Sequence, residues 1–152
     1  MIRPATGDDL VTLFDLEKLA STTALAHVFG PEIAFPDDDV LARWRLVLDE
    51  PAMTVLLDEE GAQAVGYAAF ADGWLHHFAI SPAWWGTGRA RALHDESLAG
   101  LAAQGARTTY LWVLVENRRA RAFYERQGWV DGGVREEEVF APFPVKMQMK
   151  RG

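Results

Sequence analysis

Ser81-Pro82-Ala83-Trp84-Trp85-Gly86-Thr87-Gly88-Arg89-Ala90 joins a strand to a helix. Upstream, Trp74 to Ile80 reads as the strand. Downstream, Gly88 to Gln104 reads as the helix, with Leu93, Leu98 and Leu101 on or near one face and Gly105 as the stop. Glycines at 86 and 88 let the backbone turn tightly and bring successive N–H groups toward one point. The helix start adds unpaired N–H donors and a partial positive charge. Such a corner suits a phosphate or pyrophosphate. G-x-G at a strand–helix junction is a weak signal alone, because a plain tight turn accounts for it as well. A P-loop requires a lysine that does not follow here. A dinucleotide fingerprint requires a third glycine where Arg91 stands, and an N-terminal parallel strand before the loop.

The strand at Trp74 is the third of a meander. Met53 to Leu57 is followed by a turn at Asp58-Glu59-Glu60-Gly61, and Ala64 to Phe70 by the hairpin signal Asp72-Gly73. Toward the N-terminus, Ile2 to Ala5 reads as a short strand. Thr6 then caps a helix that runs to about Ala20. Ala24 to Phe35 carries breaks at Gly30-Pro31 and Phe35-Pro36 and gives no clear element. Asp37 to Asp39 caps a second helix through Val40, Trp44, Val47 and Leu48, stopped by Pro51. Toward the C-terminus come a strand from Thr108 to Val113, a helix from Asn117 to Gln127 closed by Gly128, and strands at Trp129 to Arg135 and Val145 to Met149. The order is β-α-α-β-β-β-α-β-α-β-β, a mixed α/β fold around one sheet, in one domain over residues 1–152.

Composition narrows the function. A chain of 152 residues buries a core without disulfides or a structural metal. The absence of cysteine excludes disulfides, thiolate catalysis and cysteine-type zinc sites, and suits a reducing, cytoplasmic setting. No apolar run spans a bilayer, and Met1-Ile2-Arg3-Pro4 lacks the pattern of a secretory signal. A net charge of -7 argues against nucleic acid as the main partner and leaves room for a cationic acceptor such as a protonated amine. Arginines gather between Arg89 and Arg126, and acids at Asp37–Asp39, Asp58–Glu60 and Glu136–Glu138. The alternatives are solvated faces of alternating sign or a polyanion-binding patch.

A second motif lies at Asn117-Arg118-Arg119-Ala120-Arg121-Ala122-Phe123-Tyr124. Two helical turns separate Asn117 from Tyr124 and bring both to nearly one face. Ala120 between them leaves room for a ligand beside the helix. The competing reading makes Asn117 a cap and Tyr124 a core residue.

Together, in this order and spacing, these segments resemble the GNAT superfamily of acyl-CoA-dependent N-acyltransferases. The resemblance runs from Ile2-Arg3-Pro4-Ala5-Thr6 through the loop motif [QR]-x-x-G-x-[GA], here Trp85 to Ala90, to Asn117, Ala120, Phe123-Tyr124 and Gly128-Trp129. Trp85 departs from the usual glutamine or arginine, removing a polar pyrophosphate contact.

The resemblance implies a fold whose central strands splay apart, acetyl-CoA as co-substrate, an amine acceptor, and a monomer or homodimer; His76 and His77 without a third ligand make a poor metal site, so no metal is expected. It implies that Phe78, Ala79 and Ile80 hydrogen-bond the pantetheine arm like an added strand. It places the pyrophosphate on the N–H groups of Gly86, Thr87, Gly88, Arg89 and Ala90, with Arg89 or Arg91 as side-chain partners. Asn117 bonds the pantetheine, Ala120 leaves it space, and arginines 118, 119 and 121 are within reach of the adenosine phosphates. Tyr124 protonates the departing thiolate. Where many relatives carry a basic glutamate, this strand offers His76 and His77, of which alternation turns only one toward the cleft; Glu116 is a further candidate base. The acceptor pocket draws on His27, Phe29, Phe35, Trp44, Phe140, Phe143 and Glu136–Glu138. Rival readings are a transferase for another acyl group and a non-catalytic coenzyme A sensor.

Overall fold

The structure, a computed structural model, describes Met1 to Gly152 throughout. Strand β1 (Ile2–Pro4) leads through a short 3-10 turn into helix α1 (Leu10–Ala24), a single-turn α2 (Ala26–Phe29) and α3 (Asp37–Asp49). The meander follows as β2 (Thr54–Glu60), β3 (Gln63–Ala71) and β4 (Trp74–Ile80). Then come α4 (Arg89–Ala103), β5 (Thr109–Leu114), α5 (Arg118–Arg126), β6 (Val130–Glu137) and β7 (Val145–Arg151). The order read from the sequence holds, with α2 added where Ala24 to Phe35 gave no clear element. Asp58, Glu59 and Glu60, expected in a turn, extend β2 instead: Asp58 pairs with Ile2 and Gly66 and is buried against Arg89 of α4. Asp37 to Asp39 form the first turn of α3 after Pro36, where their charge favours the helix dipole without capping it.

One seven-stranded sheet runs β1-β2-β3-β4-β5-β7-β6. Every neighbouring pair is antiparallel except β4–β5, which is parallel and bridged by α4 as crossover. Alternation along β3 feeds two cores. Ala68 and Phe70 join Leu93, Leu101, Trp129 and Met147 on the α4 side, whereas Tyr67 and Ala69 join Leu13, Phe14 and Trp44 on the α1–α3 side. The helices bury what helical spacing prescribes: Leu13, Leu16 and Ala20 on α1, and Val40, Trp44 and Val47 on α3.

Two irregularities in β4 prepare the site. Trp74 pairs with Tyr110, the one bridging pair between β4 and β5, and beyond it the strands diverge. Between the pairs Phe70↔Leu75 and Ala69↔His77, β4 spends an extra residue, His76, as a β-bulge.

Candidate functional site

The gap between β4 and β5 opens into a cleft of roughly 1570 Å³. Its wall is the free edge of β4. Ser81 N–H donates to the Val65 carbonyl at 2.7 Å, so alternation turns the backbone groups of Ala79 toward β3 and those of Phe78 and Ile80 into the gap. Of the three residues expected to bond a pantetheine, Ala79 is thus spent within the sheet. The Ile80 carbonyl also receives the Trp85 indole Nε1–H at 3.0 Å.

The loop forms the next corner. Gly86 and Gly88 lie at φ +74° and +86°, in the left-handed region, and an added Cβ at either meets no atom within 4 Å. The first α4 bond runs from the Ala92 N–H to the Gly88 carbonyl at 3.2 Å. None of the six successive amides from Gly86 to Arg91 donates to a protein acceptor. The helix start adds roughly half a positive charge. Trp85, Gly86, Gly88, Ala90 and Arg91 line the cleft. Thr87 does not, and its hydroxyl donates to the Trp84 carbonyl at 2.6 Å. The Arg89 side chain, expected on the phosphate, is turned to Asp58 and Glu60 and packs over Trp84. Only its backbone amide faces the corner, because two carboxylates of β2 claim its guanidinium.

Helix α5 closes the other side. Asn117 accepts the Ala120 N–H at 3.3 Å, so it does cap the helix, and both residues line the cleft together with Tyr124. Tyr124 is buried between Phe78, Phe123 and Trp129, and its hydroxyl makes no hydrogen bond to protein. Burial pushes its pKa well up.

The bulge overturns the expectation that one histidine alone meets the cleft. By resetting the alternation at His76, it lets both histidines line it. They differ in character. His77 lies 5.3 Å from the buried Trp44 ring, and burial together with the nearby Arg43 charge pushes its pKa down to about 3. It stays a neutral ring and binds protons poorly. His76 stacks on Trp74 at the open side, its pKa lowered less drastically by desolvation. Glu116 does not line the cleft. Its carboxylate pairs with Arg118 at 3.0 Å and its carbonyl bonds His27 Nε2 at 2.7 Å.

At the far end Phe29 and Phe140 approach to 6.1 Å between centroids and roof the cleft, which Phe35, packed on Phe14, also lines. Trp44 lies fully buried, its Nε1–H donated to Glu17 at 3.1 Å. Phe143, Glu136 and Glu137 stand outside. The two carboxylates that do line the cleft are already paired, Glu17 with Arg43 and Glu138 with Lys146. No set of three or more histidine, aspartate or glutamate side chains is placed to hold a metal ion, and no helix is long and apolar enough to cross a membrane.

Sequence reading passed over His94. It is 1% exposed, its Nε2 accepts the Trp129 indole N–H at 2.9 Å, and its ring meets Phe78 and Phe123 edge-on, behind the cleft wall. Its helical spacing to Ser97 and Leu101 was the available signal.

Comparison with known proteins agrees with this geometry. A sequence model described as the acetyltransferase (GNAT) family matches residues 15–129. An uncharacterised N-acetyltransferase of Mycobacterium tuberculosis is 33% identical over 99 residues, which make up 62% of this chain and 64% of the relative. The match thus spans a little under two thirds of that relative's length. The fold of a GCN5-related N-acetyltransferase from Rhodopseudomonas palustris superimposes with a TM-score of 0.83 at 15% identity, covering 100% of this chain and 94% of the other. A Thermoplasma acidophilum N-acetyltransferase solved with coenzyme A superimposes at 0.73, with 15% identity over 97% of this chain and 96% of the other. With residues 15–129, most of its length, matched by the family model, the chain belongs to the acetyltransferase (GNAT) family.

Proposed function

We propose that this chain is an N-acetyltransferase that moves the acetyl group of acetyl-CoA to the primary amine of a small molecule or peptide end, acting as one catalytic domain. The observation that carries the reading is the open edge of β4 leading directly into six unclaimed amides at Gly86 to Arg91. These groups fit the donor. Phe78 and Ile80 offer strand-like backbone bonds to its amides, the loop offers donors and positive potential to its diphosphate, and the two glycines leave the corner empty of side chains.

The coenzyme supplies an acetyl group activated as a thioester. The rest falls to the protein. The Phe78 N–H is aimed into the gap, where it stabilises negative charge on a carbonyl oxygen. Tyr124 holds its proton through neutral pH, since burial raises its pKa, and passes that proton to the departing sulfur. An alkylammonium must lose a proton before it attacks. His76 takes that proton, directly or through water, being the more open and the more basic of the two cleft histidines. His77 orients without titrating near neutrality. Asn117, Ala120, Ala90 and Arg91 shape the donor side.

The acceptor end is apolar and roofed by Phe29 and Phe140, and its carboxylates are bonded to Arg43 and Lys146. This favours an amine with an apolar body and one amino group over a polycation. The absence of cysteine and the net charge of -7 support a cytoplasmic setting with no nucleic-acid partner.

Calorimetry with acetyl-CoA and longer acyl-CoAs, followed by a thiol-release assay over an amine panel, tests the reading. Thiol release with an apolar monoamine supports it. Binding without release on any amine would replace it with a coenzyme A sensor, and absence of binding to every acyl-CoA would remove it.

A further inference from the structure

Five arginines stand at the loop and the first turn of α5, and three are already held by hydrogen bonds. Arg89 is held by Asp58 and Glu60, Arg118 by Glu116, and Arg121 by the Val115 carbonyl at 2.9 Å, while Arg91 lies 3.8 Å from Asp95. Arg119 has neither an ion pair nor a hydrogen bond to protein. Its guanidinium carbon instead sits 3.8 Å from the centroid of the Trp85 ring. That ring is itself fixed, because its Nε1–H donates to the Ile80 carbonyl at 3.0 Å and its body packs on the core beneath α4. A guanidinium laid on an indole keeps its N–H donors free around the rim while losing most of its freedom to wander.

We infer that Arg119, held by Trp85, is the side chain that binds the donor's diphosphate and replaces the polar residue missing at position 85. The inference rests on the acetyl-CoA reading above. Trp85 immediately precedes Gly86, the first of the six free amides, so ring, guanidinium and amides border one corner of the cleft, which both Trp85 and Arg119 line. The arginine fork offers two parallel N–H donors to two phosphate oxygens, a geometry that a lysine ammonium lacks. Trp85 thereby exchanges a direct polar contact for a platform. It fixes a cation from a different helix, and the two walls of the splayed sheet, β4 and α5, are joined through it at the diphosphate end.

The test measures dissociation constants for acetyl-CoA and for acetyl-dephospho-CoA, which lacks the 3′-phosphate but keeps the diphosphate. Arg119→Ala should weaken both donors alike, by about tenfold or more. Arg119→Lys should recover only part of that loss. Trp85→Leu should weaken both donors too, and Arg119→Ala added to it should cost little more, since the platform is already gone; thermal melts check that these variants fold. Wild-type affinity in Arg119→Ala overturns the inference and leaves the donor reading intact. A loss confined to acetyl-CoA also overturns it, because Arg119 would then be reading the 3′-phosphate. Failure of the wild-type protein to bind either donor overturns both.

Discussion

Arg89 grips the buried carboxylate of Asp58 through two hydrogen bonds of 2.9 Å, one from Nε and one from Nη2. Burial pushes the Asp58 pKa up, but Arg89 and the Met1 ammonium, 3.1 Å from the same carboxylate, together outweigh it and the net shift is downward. The pair bolts the first residue of α4 to β2 and so fixes the end of the loop that leaves β4. Asp58→Asn leaves Arg89 to Glu60 and the Glu59 carbonyl alone and should cost about 1–3 kcal/mol of stability. Urea titration checks this, and a double-mutant cycle with Arg89→Gln should return a coupling above about 0.5 kcal/mol. Additive losses would show that the two residues do not act as a pair.

Gly88 faces empty space, which separates backbone strain from occupancy of the corner. Gly88→Ala adds a methyl that meets nothing but strains a φ of +86°, so it should lower thermal stability while lowering donor affinity far less than a charge does. Gly88→Asp places a negative charge beside the free amides and should lower it by about a hundredfold or more, roughly 3 kcal/mol. Calorimetry with acetyl-CoA compares the two, with circular dichroism to check folding. Equal losses in both variants would mean that the loop's conformation matters and its field does not.

Tyr124→Phe removes one hydroxyl from a site where it has no protein partner, so the core around it is unchanged. Turnover should fall by about a hundredfold while the acetyl-CoA dissociation constant stays within a factor of about three. Steady-state and binding measurements on the same preparation decide the matter. Unchanged turnover would assign the proton to water.

The two cleft histidines predict different pH behaviour. If His76 receives the amine proton, the acidic limb of kcat/KM lies below the ordinary histidine value, because desolvation lowers its pKa, and His76→Ala removes that limb. His77 affects stability. Its folded pKa of about 3 lies under the unfolded 6.5, so the unfolded chain takes up the proton first. Stability therefore rises with pH between about 3 and 6.5 and is lost on acidification through that window. The slope contributed by one proton is at most about 1.4 kcal/mol per pH unit. His77→Leu should flatten the denaturation midpoint across this range without moving the kcat/KM limb. A shifted limb would return His77 to the list of bases.

Much of this was readable beforehand because local signals agreed with the fold. The meander follows from Asp72-Gly73, α4 from its apolar spacing and flanking glycines, and the facing of Asn117 and Tyr124 from simple helical arithmetic. What escaped was set by distant partners. Nothing local says that Asp58 continues a strand, since its reason to be buried is Arg89, 31 residues later. Nothing says that Arg89 turns from the cleft while Arg119 stays in it. The parity of His76 and His77 could not be read, because a bulge is decided by the strand opposite. Helix α2 is a single turn whose place is fixed across the cleft, by Phe140 against Phe29 and the Glu116 carbonyl against His27.

The lone Trp74–Tyr110 bridge has a mechanical consequence. Two plates, one of four strands and one of three, share a single rivet at one end and are otherwise kept in register by helices. An extended guest lying along the seam would supply the rungs this ladder lacks. Amide exchange of β4 and β5 should then slow in concert when the guest arrives, while the outer strands β1 and β6 keep their own pace.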